Sequence, residues 1–220
     1  MPTVVPTPFL FRYAMPVKKA AALPKKSGKT LLGLTDSFAL PNLREVEGAE
    51  PNSVVRVCWN DDGFGVSVTV RGKKHPATGK KTAPLESDGV QVWIDTRDTK
   101  NIHRAGRFCH HFCLLPFADG KKNDLPIGIQ LQVARAREES ALVKPKSIKM
   151  KSASTKTGYE MEAWFPAEVL HGYEPDANPR LGFYFLIRDS ELGDWPMTIG
   201  DEFPYSQDPS LWTTLELKSK

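Results

Sequence analysis

The clearest pattern in the chain is the alternation of apolar and polar residues between Gly89 and Asp95. One set of alternate positions holds Val90, Val92 and Ile94, and the other set holds Gln91, Trp93 and Asp95. Successive side chains of a β-strand point to opposite faces, so the pattern predicts a strand that is buried on one face and open on the other. The open face would carry an aromatic ring between polar groups, which suits the binding of a polar ligand with apolar C–H faces.

The same alternation occurs on both sides of a predicted turn, Asn60-Asp61-Asp62-Gly63. The segment 54–59 alternates before the turn, and the segment 64–71 places Phe64, Val66, Val68 and Val70 on one face. Asp and Gly tolerate the positive φ of tight hairpin turns. The two segments are therefore predicted to form a β-hairpin.

Further strand-sized segments are separated by turn residues and are predicted at 89–95, 107–115, 127–134, 147–152, 158–165, 181–188 and 211–217. A short helix is predicted to begin at Pro166, because Pro suits the first helical turn, and to end at His171-Gly172. About ten short strands with almost no helix predict an all-β fold, either an antiparallel β-sandwich or a related barrel.

Size and composition narrow the class of protein. The 220 residues suffice for one domain with a sizeable core, and 40% hydrophobic with 25% charged residues argue against disorder. The net charge of +4 is spread along the chain without a nucleic-acid-binding motif, so no nucleic-acid partner is predicted. No apolar run reaches the ~18 residues of a membrane span. Three cysteines without framework spacing, Cys58, Cys109 and Cys113, indicate a reducing compartment.

The first thirty residues differ in composition from the remainder. Residues 1–30 are rich in Lys and Pro, and they are predicted to form a basic, irregular arm with one strand at about 8–14. Residues 31–220 are predicted to form a single sandwich domain. The first basic residue is Arg12 and no long apolar region follows Met1, so no signal peptide is visible. The expected location is the cytoplasm, unless a leader has been removed.

Five blocks of sequence occur in an order that resembles a known family. They are Trp59–Phe64, Ser87–Asp95, Gly158–Pro166, Leu181–Asp189 and Asp208–Leu217. The chain resembles the carbohydrate-binding module family 9-like branch of the DOMON superfamily over roughly residues 38–217. The resemblance implies a jelly-roll type of β-sandwich with a concave sheet. It also implies that members that bind sugar hold a saccharide's reducing end between two Trp rings, that some members bind calcium structurally, and that related DOMON domains bind haem.

This chain departs from that family pattern at the aromatic positions. In sugar-binding members a Trp shortly precedes the Asp that opens the central strand, whereas this chain has Ala83–Glu86 there, so that ring is missing. The aromatic residues nearest to the second ring position are Phe203 and Tyr205, and Tyr205 would substitute for the second Trp. The polar position on the central strand is Gln91, and a comparable position on a later strand falls near Leu186, which cannot hydrogen-bond a hydroxyl.

The alternating strand and the resemblance together predict a non-catalytic module that binds a saccharide or a similar polyol on the concave sheet. Trp93 would stack on the ligand while Gln91, His111 and Arg188 hydrogen-bond it. The predicted ligand-binding residues are Gln91, Trp93, His111, Arg188, Asp189 and Tyr205. Trp93 is alternatively a core residue, which is the role predicted for Trp59, Trp164 and Trp212. Two other functions stay open: a structural or protein-interaction sandwich that has lost its sugar site, and a haem- or metal-binding domain.

Neither metal nor cofactor is predicted, although three sets of residues present metal-binding chemistry. Cys109, His111 and Cys113 share one strand face, but their spacing of ~7 Å converges poorly on one zinc ion, which favours buried, reduced thiols. Calcium would tolerate the spacing of Asp95, Asp98 and Asn101, which Asx turns explain equally well. Axial haem ligands would be His111 with Met161 or Met197.

Catalytic motifs are missing from the sequence. Ser87-Asp88-Gly89 lacks the flanking glycines of a nucleophile elbow, and neither a phosphate-binding loop nor a dinucleotide fingerprint occurs, so no enzyme is predicted. His110 alternates with Phe108 and Phe112, which predicts an imidazole that faces the core and bonds to the backbone.

A basic segment precedes the strand at 107–115. His103, Arg104 and Arg107 would either line the rim of a cleft, where they clamp an anionic group, or lie in a solvated loop.

Overall fold

The computed structural model describes residues 14–43, 45, 48, 51–118 and 125–219, and eleven strands lie within these ranges. The strands are β1 (Ala14–Lys18), β2 (Ser53–Asn60), β3 (Gly63–Arg71), β4 (Gly89–Asp95), β5 (Cys109–Leu115), β6 (Ile127–Leu131), β7 (Lys149–Thr155), β8 (Gly158–Pro166), β9 (Arg180–Arg188), β10 (Trp195–Pro196) and β11 (Thr213–Lys218). No helix in the described ranges is long and apolar enough to cross a membrane.

The strands form two sheets. The larger sheet has the order β1-β11-β9-β4-β5-β6, with β10 attached to β9, and the smaller sheet has the order β2-β3-β8-β7. All pairs are antiparallel except β1 with β11, which is parallel. The predicted antiparallel β-sandwich is confirmed.

Ring contacts identify the face of each sheet that points into the sandwich. Phe112 of β5 lies 4.7 Å from Phe165 of β8, and Phe183 of β9 lies 5.8 Å from Phe64 of β3, measured between ring centroids. Because side chains alternate along a strand, the neighbours of Phe112 and Phe183 point the opposite way, to what we call the outer face of the larger sheet. Trp93 lies on this outer face, opposite His111 on one side and Tyr184 on the other.

The alternation in β4 is therefore confirmed, but the prediction that one of its faces is open to water is wrong. All seven residues of β4 are buried. The segment 195–212 covers the outer face: the hydroxyl of Tyr184 donates to the carbonyl of Ile199, and the ring of Tyr205 lies 5.6 Å from that of Trp93, measured between centroids. The only strand in this segment is the two-residue β10, and one turn of 3-10 helix follows at Pro209–Leu211, so no alternation in its sequence indicated that it would cover a sheet.

The predicted hairpin is confirmed, because Asn60 pairs with Gly63 and leaves only Asp61-Asp62 in the loop. The predicted helix at Pro166 is wrong in extent. Pro166 belongs to β8, and only one turn of 3-10 helix follows, Ala167–Val169, because Leu170 adopts φ −105° and ψ 85°, outside the helical region.

Two strands were not predicted, β1 and the two-residue β10. β1 contains Pro16, yet Met15 and Val17 on either side of it are buried. Since β1 is an edge strand, the missing N–H of proline costs no interior hydrogen bond. The strand predicted at about 8–14 lies, apart from Ala14, outside the described residues.

Residues 19–38, called the strap below, cross the side of the smaller sheet that points away from the larger one. Leu31 and Leu32 pack there against Cys58 and Trp164. The Glu162 carboxylate accepts hydrogen bonds from the backbone N–H of Leu31 at 2.5 Å and of Gly33 at 2.6 Å. The strap therefore contains residues from both sides of the boundary that was predicted between the arm, 1–30, and the sandwich domain, 31–220.

Candidate functional site

Four rings meet at the centre of the outer face, and we call them the aromatic cluster: Trp93, His111, Tyr184 and Tyr205. His111 stacks on Trp93, with centroids 4.3 Å apart and planes 9° apart. Tyr184 and Tyr205 contact Trp93 edge-on at 5.8 Å and 5.6 Å. Trp93 is only 1% exposed, so the cluster is a small second core and its indole cannot stack on a ligand without movement of the covering segment.

Gln91 and His111 form a polar pair next to this cluster. His111 Nε2 and Gln91 Oε1 are 3.1 Å apart, which makes the imidazole the donor. Burial lowers the pKa of His111 to about 3, so the ring stays neutral at pH 7. Gln91 and His111 therefore satisfy each other's hydrogen bonding inside the protein. Trp93 Nε1, in contrast, has no hydrogen-bond partner among the described residues.

Arg188 lies on the same face of the sheet, at the end of β9 where β4 begins. Its Nη1 donates to the carbonyl of Leu85 at 2.6 Å, and its Nη2 donates to Asp194 Oδ2 at 2.7 Å. The hydrogen bond with Asp194 raises the pKa of Arg188 above its already high value. The side chain of Arg188 is 34% exposed, so its guanidinium is held in place and still meets solvent.

Around Arg188 lies a set of groups that we call the rim cluster: Leu85, Arg188, Asp194, Asp201 and Tyr205. The Tyr205 hydroxyl donates to Asp201 Oδ1 at 3.2 Å, and burial together with Asp201 raises the pKa of this phenol. Leu85 is 45% exposed. The rim cluster thus places an apolar surface beside one cation and two carboxylates.

Asp189 does not join the other predicted residues, because it follows β9 on the opposite side of the sheet. Its Oδ1 accepts a hydrogen bond from Lys73 Nζ at 2.6 Å, and the same ammonium lies 3.4 Å from Asp88 Oδ2. Burial raises the pKa of Asp88, but the N–H groups of Thr78 and Ser190 and the ammonium more than offset this, and the net pKa is lowered. This buried ion cluster attaches the loop after β3 to the larger sheet.

Lys73 was missed by the sequence analysis because it looks like one more solvated lysine of a basic loop. The only signal was the neighbouring acidic turn at Asp88, which needs a cation once it is buried.

His110 occupies the interior between the sheets, as predicted. It is fully buried, its Nε2 lies 3.4 Å from the carbonyl of His171, and Gln130 Nε2 lies 3.4 Å from its Nδ1. Burial lowers its pKa to about 4.

The residues with metal-binding chemistry are engaged in other contacts. Burial raises the pKa values of Cys109 and Cys113 to about 12, so both thiols keep their protons. Asp95 accepts hydrogen bonds from the backbone N–H groups of Arg97 at 2.9 Å and Thr99 at 2.7 Å, which is the Asx-turn alternative. Within the described ranges, no three His, Cys, Asp or Glu side chains are grouped to hold a metal ion.

Of the two haem pairs predicted, His111 with Met161 is not brought together, whereas the alternative partner Met197 is buried in the segment 195–212 that covers the outer face. His111 lies on the outer face of the larger sheet, whereas Met161 lies on β8 of the smaller sheet and is buried.

Comparison with known proteins identifies the family. Residues 35–220 match the family model described as carbohydrate family 9 binding domain-like. No curated protein matches the chain.

Several solved structures share the fold. A carbohydrate-binding module of family 9 from Caldicellulosiruptor kristjanssonii, solved in complex with cellotriose, is 13% identical with a TM-score of 0.60, over 94% of this chain and 95% of that chain. Another structure of such a module from this organism, in complex with glucose, is 14% identical with a TM-score of 0.57, over 94% and 97%. A candidate carbohydrate-binding protein from Bacteroides uniformis ATCC 8492 is 14% identical with a TM-score of 0.59, over 93% and 99%. The family match spans most of the sequence, and the chain therefore belongs to the carbohydrate family 9 binding domain-like family.

Proposed function

We propose that the chain is a non-catalytic carbohydrate-binding module whose saccharide binds at the rim cluster. Family membership supports the ligand class, as do the neighbours solved with cellotriose and glucose. The placement within the DOMON superfamily and the lack of catalysis belong to the same proposal.

The observation that carries the location is the environment of Arg188. Two of its N–H groups are fixed by Leu85 O and Asp194, and a third of the side chain remains exposed. Its Nε is buried and has no hydrogen-bond partner among the described residues. A sugar-binding site needs fixed donors and acceptors for neighbouring hydroxyls next to an apolar surface. Arg188 supplies the donors, Asp194 the acceptors and Leu85 the apolar surface.

The predicted residues beneath the rim take a supporting role in this proposal. Trp93 and His111 pack against each other, and Trp93 contacts the ring of Tyr205 edge-on. They are positioning residues, because they hold Tyr205 next to Asp201 and leave the contact with the ligand to the rim cluster.

A gain of affinity is expected when an aromatic ring is placed at the exposed leucine of the rim. Leu85→Trp adds a flat surface for the C–H face of a sugar beside Arg188, and ring stacking of about 1 kcal/mol corresponds to about fivefold tighter binding. Calorimetric titration with glucose, cellobiose and cellotriose measures the dissociation constants. Leu142→Trp is the matched control, because Leu142 is also exposed, at 57%, and does not belong to the rim cluster.

A loss is expected when the guanidinium is removed. Arg188→Ala removes the charge-assisted hydrogen bonds to hydroxyls and should weaken saccharide binding about tenfold or more. Arg180→Ala is the control on the same strand, since Arg180 is exposed and paired with Glu216 at 2.8 Å. If neither glucose nor the cello-oligosaccharides bind to the parent chain or to Leu85→Trp, the carbohydrate proposal is wrong.

A second function is favoured by the burial of the aromatic cluster. Trp93 and Leu186 are 1% and 4% exposed, so the centre of the outer face is closed by the chain's own side chains. A sandwich of this kind would serve as a structural or protein-interaction domain. It becomes the better proposal if the saccharide titrations show no binding.

A further inference from the structure

A cleft of about 380 Å³ lies beside the segment that covers the aromatic cluster. Three loops contribute to its walls, and the lining residues are His103, Arg104, Arg135, Pro204, Gln207 and Asp208. Two arginines and a histidine face one carboxylate, so the walls carry an excess of positive charge. Of the three residues predicted to line a cleft or to lie in a solvated loop, His103 and Arg104 line the cleft, whereas Arg107 is exposed and lies 3.5 Å from Glu138.

The loops of the cleft are joined by side chains of the first loop. His103 Nδ1 lies 3.0 Å from Asp208 Oδ2, which joins the loop at 103–104 to the loop at 204–208. Arg104 Nε donates to the carbonyl of Arg135 at 2.9 Å, and its Nη2 lies 3.3 Å from the carbonyl of Ala136. Side-chain hydrogen bonds therefore join the three loops that form the cleft.

The His103, Asp208 and Ser210 side chains do not form a catalytic triad, although they are in contact. Ser210 Oγ lies 3.2 Å from His103 Nδ1, the same nitrogen that contacts Asp208, and Ser210 Oγ donates to Asp208 Oδ1 at 2.6 Å. A triad needs the nucleophile and the carboxylate on different imidazole nitrogens. The group thus has a structural role and leaves Nε2 of His103 outside these contacts.

Arg135, which lines the cleft, has an uncommon backbone conformation. Its φ is +56°, in the left-handed region that a long side chain rarely adopts. Arg104 binds its carbonyl, and the neighbouring Arg137 N–H donates to the carbonyl of Ala105 at 2.8 Å, so the turn is held from two sides. Among the described residues, no acceptor is bonded to the guanidinium of Arg135 or to Nη1 of Arg104.

We propose that this cleft binds the anionic group, a carboxylate or a sulfate ester, of an acidic saccharide. The guanidinium groups of Arg104 and Arg135 present N–H donors that match a planar carboxylate or a sulfate, and Pro204 offers an apolar wall to the sugar ring. The proposal rests on the carbohydrate-binding function proposed above and extends its ligand class from neutral sugars to sugar acids.

The test compares two disaccharides that differ in one group. Cellobiose and the corresponding disaccharide in which one glucose is replaced by glucuronic acid are titrated calorimetrically into the full chain at constant ionic strength. The acidic disaccharide should bind at least about fivefold more tightly, since charge-assisted hydrogen bonds are the strong ones. Potassium sulfate should compete with the acidic ligand and leave cellobiose binding unchanged.

A pair of variants assigns the preference to the cleft. Arg135→Asn removes the guanidinium and keeps a residue that tolerates positive φ, so the backbone turn should persist. It should abolish the preference for the acidic disaccharide, whereas Arg137→Asn, two positions along the same loop, should retain it.

Each result decides between the two proposals. Equal affinity for the neutral and acidic disaccharides overturns the anion site and leaves carbohydrate binding intact. A preference that survives in Arg135→Asn also overturns the assignment to this cleft. If neither disaccharide binds, both proposals fail together.

Discussion

The two buried histidines, His110 and His111, occupy opposite faces of β5, and each is neutral for the same reason. Burial removes water from the imidazolium form, which lowers the pKa values to about 4 and about 3. Each ring has a described acceptor or donor, so the neutral form is satisfied where it lies. The contribution of both histidines to the free energy of unfolding therefore depends on pH.

We expect the free energy of unfolding to fall as the pH falls below about 6.5. The unfolded chain then binds protons at both histidines, whereas the folded chain binds none until its lowered pKa values are reached. Each histidine contributes a slope of up to about 1.4 kcal/mol per pH unit in this window, and the contribution is complete above the unfolded pKa. Urea unfolding between about pH 7 and about pH 4.5 measures the slope.

His111→Gln should reduce that slope, because the glutamine can still donate to Gln91 and does not titrate. His75→Gln is the matched control, since the His75 side chain is 80% exposed. Identical slopes for the two variants would contradict the assignment of a lowered pKa to His111.

At the scale of elements, the strap is attached to the smaller sheet by one carboxylate. Glu162 of β8 accepts two backbone N–H groups of the strap, while Glu160, on the same side of the same strand, is exposed. The two residues have the same chemistry and differ only in what they contact. They therefore separate the effect of the attachment from the effect of charge on this face.

Glu162→Gln should destabilise the strap by about 1–3 kcal/mol, because an amide group supplies one acceptor oxygen and directs N–H groups at the remaining backbone donor. Hydrogen exchange at the amides of Leu31 and Gly33 is the measurement, and their protection should fall in Glu162→Gln but persist in Glu160→Gln. Equal protection in both variants would mean that the apolar contacts of Leu31 and Leu32 hold the strap alone.

The elements that the sequence predicted well are those with strict alternation. The bounds of β4 were predicted correctly because its apolar positions repeat every two residues. The β2–β3 hairpin was predicted because the residues between its strands favour a tight turn. β1 was not predicted, since Pro16 is a poor strand residue and is tolerated only at a sheet edge. An edge position is a property of the whole fold and is not encoded within five residues.

The site was predicted less completely for a related reason. The side of β4 that carries Gln91, Trp93 and Asp95 was identified from alternation, but whether that side meets water depends on the segment 195–212, which has almost no regular structure. Asp189 was predicted in the same site as Arg188, although adjacent strand residues point to opposite faces. Arg135, which lines the cleft, was not predicted as a site residue, because nothing in the sequence indicates that an arginine adopts a positive φ.

At the scale of the whole molecule, residues that the sequence assigned to a separate arm accept hydrogen bonds from the smaller sheet. Trp59 Nε1 donates to the carbonyl of Val17 at 2.9 Å, and Asn60 Nδ2 donates to the carbonyl of Leu23 at 2.6 Å. Both donors belong to buried residues of β2. The described part of the arm thus completes the hydrogen bonding of the domain.

Removal of residues 1–30 should therefore lower the free energy of unfolding by about 3 kcal/mol or more, because two buried donors lose their acceptors at about 1–3 kcal/mol each and β1 is lost. Urea unfolding followed by circular dichroism compares this truncated chain with the full chain. Lys26→Gln with Lys29→Gln in the full chain is the control that removes charge and keeps the packing. Equal unfolding midpoints for the truncated and full chains would support a domain boundary at residue 30.

The parallel pairing of β1 with β11 has a consequence for synthesis. Ala14 pairs with Thr214, so the first described strand needs a partner that is translated almost the whole chain length later. At ~5–20 residues per second, β1 leaves the ribosome roughly 10–40 s before β11 exists. Until then the nascent chain carries Met15 and Val17 without their neighbours on β11, so this sheet edge closes only after the intervening residues have been made.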